Sequence, residues 1–360
     1  MRRPSTSILP RRGDDSTTIH PNLRASRRFW RAANLGRSRL SAGSSFCLSI
    51  ALFLCPLAAA SSPENTVSVL YAGSLGAVME KGVGPAFVQS TGIRYEGEAQ
   101  GSLGAARMIR DRVRTPDVFV SADPSVNETV LMGPSNGGLV HWYMILASSA
   151  LVIGYNPNGK FAPKFQEAAL HKVPWYEILE TPGVRFGRGD PSIDPKGYRT
   201  LFLFKLAGEY YRRPELPGLL GDPANPAQVF PEIVLMGRVE SGQFDAGIFY
   251  KHELAAHQLS CIDLPPEINL SDPHFAASYA RQTYTAASGE HMAGAPILLT
   301  VTIPESVRHR QTALAFVRFL LSSQKLLNQF GLGNVEHRVG GDASSVPPEL
   351  RTFSAGPFKP

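Results

Sequence analysis

The chain has 360 residues, and its 36 Lys and Arg side chains against 30 Asp and Glu give a net charge of +6. The excess lies at the start, because residues 1–60 contain ten Arg and two Asp while residues 61–360 contain 26 basic and 28 acidic side chains. A hydrophobic content of 43% and a charged content of 18% exclude a mostly disordered or coiled-coil chain. The balance of −2 after residue 60 removes the case for nucleic-acid or membrane-surface binding through bulk charge.

Residues 1–60 have the layout of a secretory signal peptide. A basic leader precedes an apolar stretch of about a dozen residues starting at Phe46, and Ala58-Ala59-Ala60 supplies a small-residue cleavage pattern. The stretch is shorter than the ~20 residues that span a bilayer. We therefore predict export with cleavage after Ala60, and an uncleaved anchor or lipidation at Cys55 are the alternatives. Cleavage would leave Cys261 as a lone Cys, which excludes an internal disulfide.

After residue 60, patterns typical of strands alternate with patterns typical of helices. Short runs rich in β-branched and aromatic residues predict strands, and longer amphipathic runs predict helices. The predicted strands are 66–71, 93–97, 117–121, 150–155, 184–187, 245–250 and 297–303, and the predicted helices are 77–89, 102–113, 197–211 and 311–330. Pro- and Gly-rich stretches at 213–226 and 340–360 predict a surface loop and a tail. This alternation favours the α/β class, with parallel sheets covered on both faces.

Two short motifs are similar to those of hydrolytic enzymes. Ala72-Gly-Ser-Leu-Gly76 resembles the nucleophile turn of serine hydrolases, so a secreted serine hydrolase using Ser74 is the alternative from a different class. The turn follows the first strand after residue 60, however, and no earlier strand exists to supply an oxyanion loop. His252-Glu-Leu-Ala-Ala-His257 has one residue more than the zinc motif His-Glu-x-x-His, which separates the two His by about 140° on a helix. We predict neither an enzyme nor a site for a free metal cation.

Two Ser-containing turns, at Ser74 and Ser102, each follow a predicted strand and open a predicted helix. Helix N-termini bind anions through unpaired N–H groups and partial positive charge, and a Ser adds an O–H donor. For a single Ser at a helix start, N-capping is the simpler interpretation. Because these two turns end neighbouring strands, where α/β proteins usually bind ligands, we predict an anion site there.

An ordered set of segments carries a family resemblance over residues 66–335. The segments are Tyr71-Ala-Gly-Ser-Leu75, Gln100-Gly-Ser102, Pro116–Asp123, Trp142-Tyr143 with Ala147, Val152–Tyr155, Gly187–Pro191, Asp194–Tyr198, Leu264–Leu270, and Pro296-Ile with Thr302-Ile-Pro304. Together they resemble the molybdate/tungstate-binding proteins of ABC importers. No single segment is decisive, but their order along the chain is.

The resemblance implies a two-lobed periplasmic-binding-protein type II fold with a central ligand cleft. Lobe I would comprise residues 61–147 and 274–360, and lobe II residues 148–273. The resemblance also implies a periplasmic monomer without a cofactor, which captures molybdate or tungstate and delivers it to an ABC permease and its ATPase. The ligand-binding positions it implies are Ser74 and Ser102 with Gly73, Gly101 and Ala147, and from the other lobe Asp194 and Tyr250.

The sequence departs from one branch of this family at Phe249. The archaeal branch completes a six-coordinate metal with an Asp and a Glu, and this Glu aligns with Phe249, which cannot ligate. The segment ending at Tyr250 instead resembles a bacterial segment whose Tyr hydroxyl donates to a tetrahedral oxyanion, although a core Tyr is the alternative. Asp194 keeps the carboxylate position, but Asp before Pro195 is also typical of a helix N-cap. The coordination, the choice between molybdate and tungstate, and a binder for another small anion or ferric iron stay open.

Overall fold

The computed structural model describes residues 65–257 and 259–359. The predicted signal peptide, residues 1–60, and its cleavage point therefore lie outside the described residues. Within these ranges, none of the helices combines the length and the hydropathy needed to cross a bilayer. Cys261 is a free thiol on a partly buried strand.

Strands and helices alternate along the described residues, as the sequence predicts. The strands are β1 (Thr66–Ala72), β2 (Arg94–Gln100), β3 (Val118–Ser121), β4 (Trp142–Ser148), β5 (Leu151–Tyr155), β6 (Phe186–Gly189), β7 (Val229–Phe230), β8 (Ala246–Tyr250), β9 (Ser260–Asp263), β10 (Thr283–Thr285), β11 (His291–Ala293), β12 (Leu298–Thr302) and β13 (Val339–Gly341). The helices are α1 (Gly84–Thr91), α2 (Ser102–Arg110), α3 (Pro124–Val126), α4 (Ala162–Ala169), α5 (Trp175–Leu179), α6 (Pro195–Tyr210), α7 (Glu232–Glu240), α8 (Lys251–Leu254), α9 (Pro266–Asn269), α10 (Ala276–Tyr279), α11 (Arg310–Ser322) and α12 (Gln324–Gln329).

These strands form two principal sheets. The first has six strands in the order β13-β4-β12-β3-β1-β2, and the second has five in the order β7-β6-β8-β5-β9. The apolar run of β1 is buried on both faces, which is typical of a strand covered by helices on each side. A short hairpin of β10 and β11 stands apart from both sheets. The α/β class is confirmed, whereas the lobe boundaries at 147/148 and 273/274 stay a prediction.

The sheets are mixed, so the prediction of parallel sheets is wrong for some of the strands. Strand β1 pairs in parallel with β2 and β3, and β6 pairs in parallel with β7 and β8. In contrast, β12 is antiparallel to β3 and β4, β13 is antiparallel to β4, and β5 is antiparallel to β8 and β9. The antiparallel direction of β5 and β12 follows from the path of the chain. Each of these strands comes after the chain has crossed from the other sheet, so it begins at the edge where the parallel strands end and runs in the opposite direction.

Two predicted boundaries and one predicted tail also change. The predicted helix 311–330 is two helices, α11 and α12, which meet at Ser323. The predicted helix 77–89 begins as a wider helical turn, Val78–Val83, that continues into α1. The predicted tail 340–360 is part of the fold, because β13 pairs with β4 and Leu350 is fully buried. Backbone pairing and burial of a single Leu leave little trace in a Pro- and Gly-rich sequence.

Candidate anion-binding site

The carboxyl ends of strands from both sheets meet at one cleft. On the first-sheet side, β1 leads into the helical turn Gly73–Leu75, and β2 leads into α2. On the second-sheet side, the segment after β6 reaches Asp194 at the start of α6, and β8 ends at Tyr250. The two sides touch, since the backbone N–H of Gly104 donates to the carbonyl oxygen of Ile193 at 3.0 Å. The edge predicted from the sequence is therefore a real junction between two sheets.

The structure brings four predicted site residues to this junction. Ser74 is 5% exposed, Asp194 is 1% exposed, and Ser102 and Tyr250 are fully buried. Neither Ser caps its helix. The N-cap positions are Ala72 and Gly101, and neither helix start has a hydrogen bond from a capping side chain. The simpler interpretation of these two Ser as helix caps is therefore wrong.

The hydroxyl groups of Ser102 and Tyr250 each accept a hydrogen bond from the protein. Ser102 Oγ accepts from the backbone N–H of Ala122 at 3.0 Å, and Tyr250 Oη accepts from Arg199 Nη1 at 2.8 Å. A hydroxyl whose oxygen accepts from an N–H keeps its own proton for another acceptor. Burial raises the pKa of Tyr250 well above its ordinary value, so the phenol keeps this proton at neutral pH. Among the residues that the structure describes, neither hydroxyl proton has an acceptor.

Ser74 adds a third hydroxyl to the cleft. Its Oγ is buried and has no hydrogen-bond partner among the residues that the structure describes. A buried hydroxyl without a partner is costly, by about 1–3 kcal/mol, and usually has a functional reason. A bound acceptor, such as an oxyanion, would satisfy it.

Asp194 has two different oxygens. Its Oδ1 caps α6 by accepting from the backbone N–H of Lys196 at 2.9 Å, so the N-cap role permitted by the sequence is observed. Its Oδ2 is buried and lacks a partner in the part of the chain described here. Burial and the nearby Glu232 carboxylate raise the pKa of Asp194. Direct contact between Asp194 and a ligand stays a prediction.

A buried ion cluster lies beside Asp194, and sequence analysis missed it. Lys196 Nζ donates to Glu253 Oε1 at 2.7 Å and lies 3.1 Å from Glu232 Oε1, an ion-pair distance without hydrogen-bond geometry. Glu253 Oε2 accepts from the backbone N–H of Tyr250 at 2.6 Å. Burial opposes the charge of Lys196, but Glu232 and Glu253 raise its pKa. Burial also raises the pKa of Glu253 to about 7. The cluster therefore adds no free positive charge to the cleft.

The predicted glycines are positions of close approach across the cleft. A β-carbon on Gly101 would lie 2.5 Å from the carbonyl oxygen of Ile193, and one on Gly73 would lie 2.8 Å from Glu232 Oε2. Only Gly fits such contacts without movement of the opposite side. Ala147 is fully buried in β4 opposite Leu299 of β12. The ligand-binding roles of these three residues stay predictions.

Two cavities lie at opposite ends of β1 and are candidate ligand sites. A groove of about 340 Å³ opens beside Gly73 and Ser74 and is bounded on its other side by Glu232. A larger one, about 380 Å³, lies at the opposite end of β1, near Arg114 and His309. We favour the groove beside Ser74 for an anion, because it is lined by Ser74, whose buried hydroxyl has no hydrogen-bond partner among the described residues.

The geometry does not favour a serine hydrolase at Ser74. A catalytic Ser needs a base within hydrogen-bond distance of its hydroxyl. His252 is buried nearby, with its Nδ1 bonded to Ser149 Oγ at 2.8 Å and its pKa lowered by burial to about 3. Its Nε2 and Ser74 Oγ both lack a hydrogen-bond partner in the described residues, so the two are not bonded to each other. His257 lines the same groove as Ser74 but is paired with Glu240 at 2.7 Å. Over residues 65–257 and 259–359, no three His, Cys, Asp or Glu side chains are grouped as a metal site.

Comparisons with known proteins agree with this architecture. The family model described as bacterial extracellular solute-binding protein matches residues 67–332. A Haloferax volcanii protein, provisionally named as a molybdenum-binding protein of an ABC transporter, is 37% identical over 237 residues, 66% of this chain and 72% of its own. The molybdate/tungstate-binding protein WtpA of Thermococcus kodakarensis is 31% identical over 296 residues, 73% of this chain and 80% of its own. The periplasmic molybdate-binding protein of Azotobacter vinelandii shares the fold, with a TM-score of 0.53 at 16% identity over 75% of this chain and 99% of that one.

Two α/β sheets that meet at the carboxyl ends of their strands, with buried hydroxyl groups at the junction, are typical of a solute-binding protein. The chain belongs to the family of bacterial extracellular solute-binding proteins. The family resemblance stated from the sequence is thereby confirmed, and so is the periplasmic-binding-protein fold.

Proposed function

We propose that this protein is the substrate-binding component of an ABC importer for molybdate or tungstate. The observation that carries the proposal is the set of three buried hydroxyls, Ser74, Ser102 and Tyr250, whose protons have no acceptor in the described part of the protein. A tetrahedral oxyanion accepts hydrogen bonds on every oxygen, so three buried O–H donors at one junction suit it. The names of the relatives in Haloferax and Thermococcus support the choice of ligand.

The cleft would hold a dianion with local dipoles rather than with a cationic surface. Lys196 is neutralised by Glu232 and Glu253, and Arg199 is paired with Asp123 at 2.8 Å. Hydroxyl protons, backbone N–H groups and the start of α2 then supply the attraction. A carboxyl group beside the anion, such as Asp194, would be protonated or would contact the metal directly, because an ionised carboxylate repels an anion.

The remaining steps follow from this role. The signal peptide would export the chain, and a monomer would capture the anion between two lobes that close on it. The closed form would then be delivered to the permease and its ATPase. Selectivity would come from the size of the cavity and its fixed donors, since sulfate has the same charge but is smaller.

A calorimetric titration of the exported form with molybdate, tungstate, sulfate and phosphate tests the proposal. We expect tight binding of the first two and at least about tenfold weaker binding of the others, as expected when one ill-fitting contact costs about 1.4 kcal/mol. Binding of sulfate or phosphate alone would indicate the alternative, a binder of another small anion, and a ferric salt in the same panel tests for iron. No response to molybdate or tungstate would refute the proposal.

Oxyanion binding is expected to become tighter as the pH falls. Burial and Glu232 already raise the pKa of Asp194, and an adjacent dianion would raise it further. The bound protein then holds more protons than the free protein, so Kd decreases with falling pH, by at most about tenfold per pH unit for each proton taken up. Burial raises the pKa of Glu253 to about 7, so this group contributes in the same window.

Titrations between pH 6 and 8.5, in buffers of different ionisation enthalpy, count the protons taken up. Asp194→Asn should flatten the dependence, because it removes the titrating group but keeps the oxygen that caps α6. A Kd that increases as the pH falls would contradict the expectation.

A further inference from the structure

Arg199 lies on α6 and connects both sides of the cleft, and the sequence analysis did not include it among the site residues. It is 1% exposed. Its Nη1 donates to the carbonyl oxygen of Ala122 at 2.7 Å and to Tyr250 Oη at 2.8 Å. Its Nη2 donates to Asp123 Oδ2 at 2.8 Å. One guanidinium therefore bonds to a ligand-binding hydroxyl on its own side and to the loop after β3 on the other.

The same loop also holds the other ligand-binding hydroxyl. The backbone N–H of Ala122 donates to Ser102 Oγ at 3.0 Å, while the carbonyl of Ala122 accepts from Arg199. Ser102 and Tyr250 thus come from different sheets but are linked through two residues, Ala122 and Arg199. A shift of Arg199 would change the position of both hydroxyls.

Asp123 completes the arrangement. Its Oδ2 accepts from Arg199 and, at 2.7 Å, from Tyr198 Oη. Its Oδ1 accepts from the backbone N–H of Ser125 at 2.9 Å and from Ser125 Oγ at 2.8 Å, which caps α3. Both carboxylate oxygens therefore accept hydrogen bonds: Oδ1 caps α3, and Oδ2 binds Arg199 and Tyr198. Oδ2 alone bonds across the cleft.

We propose that Arg199 is a positioning residue that couples anion capture to the approach of the two sides of the cleft. The inference rests on the proposed function. With the sides together, Arg199 and Asp123 fix the Tyr250 oxygen and the Ala122 backbone so that the Tyr250 and Ser102 protons converge. With the sides apart, Asp123 and Arg199 are solvated separately, and the hydroxyls of Ser102 and Tyr250 are no longer held in a fixed position relative to each other. A buried ion pair of this kind contributes geometry more than net affinity, but losing one partner leaves the other charge buried and uncompensated.

Asp123→Asn removes the two bonds that Oδ2 accepts from Arg199 and Tyr198 and leaves the bond from Arg199 to the Ala122 carbonyl in place. The amide oxygen can keep the two bonds from Ser125, which places the amide N–H₂ against the donors of Arg199 and Tyr198. We expect Kd for molybdate to increase at least about tenfold, as for loss of a hydrogen bond to a charged group. The increase should come from faster dissociation, because the contact forms after the anion has entered. Asp342→Asn is the matched control: Asp342 also caps a helical turn through Ser344, far from the cleft, and should leave Kd unchanged.

Arg199→Lys is the second variant. It keeps the positive charge but loses the planar fork that reaches three acceptors at once. We expect a loss of affinity similar to that of Asp123→Asn if geometry is what Arg199 supplies. Stopped-flow dissociation rates and the ligand-free Tm, measured together, separate positioning from folding, since a merely structural role would lower Tm without changing the dissociation rate.

A double-mutant cycle completes the test. If Arg199 links Asp123 to Tyr250, the combined effect of Asp123→Asn and Tyr250→Phe on Kd should be smaller than the product of the single effects. The role of Arg199 would be overturned if the Kd increase of the double variant equalled the product of the two single increases within twofold. It would also be overturned if Asp123→Asn had the Kd and the dissociation rate of the wild-type protein. Failure of the wild-type protein to bind any of the four anions would instead refute the proposed function, and with it the ligand role of Arg199.

Discussion

Gly101→Ala is expected to weaken oxyanion binding by about 10- to 100-fold. Gly101 has φ −58° and ψ 129°, a conformation that Ala adopts freely, so the backbone itself is not strained. The new β-carbon would lie 2.5 Å from the carbonyl oxygen of Ile193 across the cleft. Forcing such a contact costs about 1–3 kcal/mol, and this cost falls on the arrangement in which the two sides touch. Every 1.4 kcal/mol corresponds to tenfold in affinity.

Gly104→Ala is the matched control on the same helix. Its β-carbon would lie 3.5 Å from Ile193 Cβ, an ordinary contact against the same neighbour. We expect its Kd to stay within about threefold of wild type. Calorimetry of both variants, with small-angle scattering in the presence and absence of anion, would show whether Gly101→Ala prevents the compact form. Equal affinities for the two variants would contradict the role of Gly101 in close approach.

Ser74→Ala is expected to separate binding from stability. The hydroxyl has no hydrogen-bond partner in the described protein, so its removal takes away no native bond and removes an unsatisfied polar group. The free energy of unfolding without ligand should stay the same or increase by up to about 1 kcal/mol. Loss of a hydrogen bond to a charged ligand costs about 1.5–3 kcal/mol, so Kd should increase about 10- to 100-fold.

Ser306→Ala provides the comparison, because Ser306 Oγ is another buried hydroxyl without a partner in the described ranges, located between β12 and α11. Ser306→Ala should change the free energy of unfolding as little as Ser74→Ala does, and it should leave the Kd for the anion unchanged. Urea unfolding and calorimetry measure the two quantities. An unchanged Kd for Ser74→Ala would remove this hydroxyl from the site. Ester hydrolysis by the wild-type protein that disappears in Ser74→Ala would support the hydrolase alternative instead.

Local patterns were enough to predict seven of the thirteen described strands and to single out three hydroxyls that the structure buries. The runs at β1, β3, β5 and β8 are apolar because both faces of these strands are covered, and such runs are visible without an alignment. Ser74, Ser102 and Tyr250 follow directly from them, since each stands at or just after the end of a strand. The structure buries the hydroxyls of Ser74 and Ser102 at these turns, although neither Ser is an N-cap and neither helix start has a side-chain capping bond.

The charged residues of the cleft were missed because a sequence does not show which charges are buried. Lys196 and Arg199 stand one turn apart on α6, directly after the N-cap Asp194, and this spacing was the available signal. In an isolated helix such residues face water. Here their partners, Glu253 and Asp123, come from 57 and 76 positions away.

The amino-acid pattern thus specifies the α/β class, the family and the kinds of donor at the proposed site, because these depend on local periodicity and on short segments. The folded chain specifies which donors are free, how closely Gly101 and Ile193 approach, and that Lys196 and Arg199 are neutralised inside the protein. These properties depend on distances between segments that are remote in sequence. A charge becomes stable in the interior only when its partner is in place. The partners of Lys196 come from other helices on the second-sheet side, whereas Asp123, the partner of Arg199, follows β3 of the first sheet.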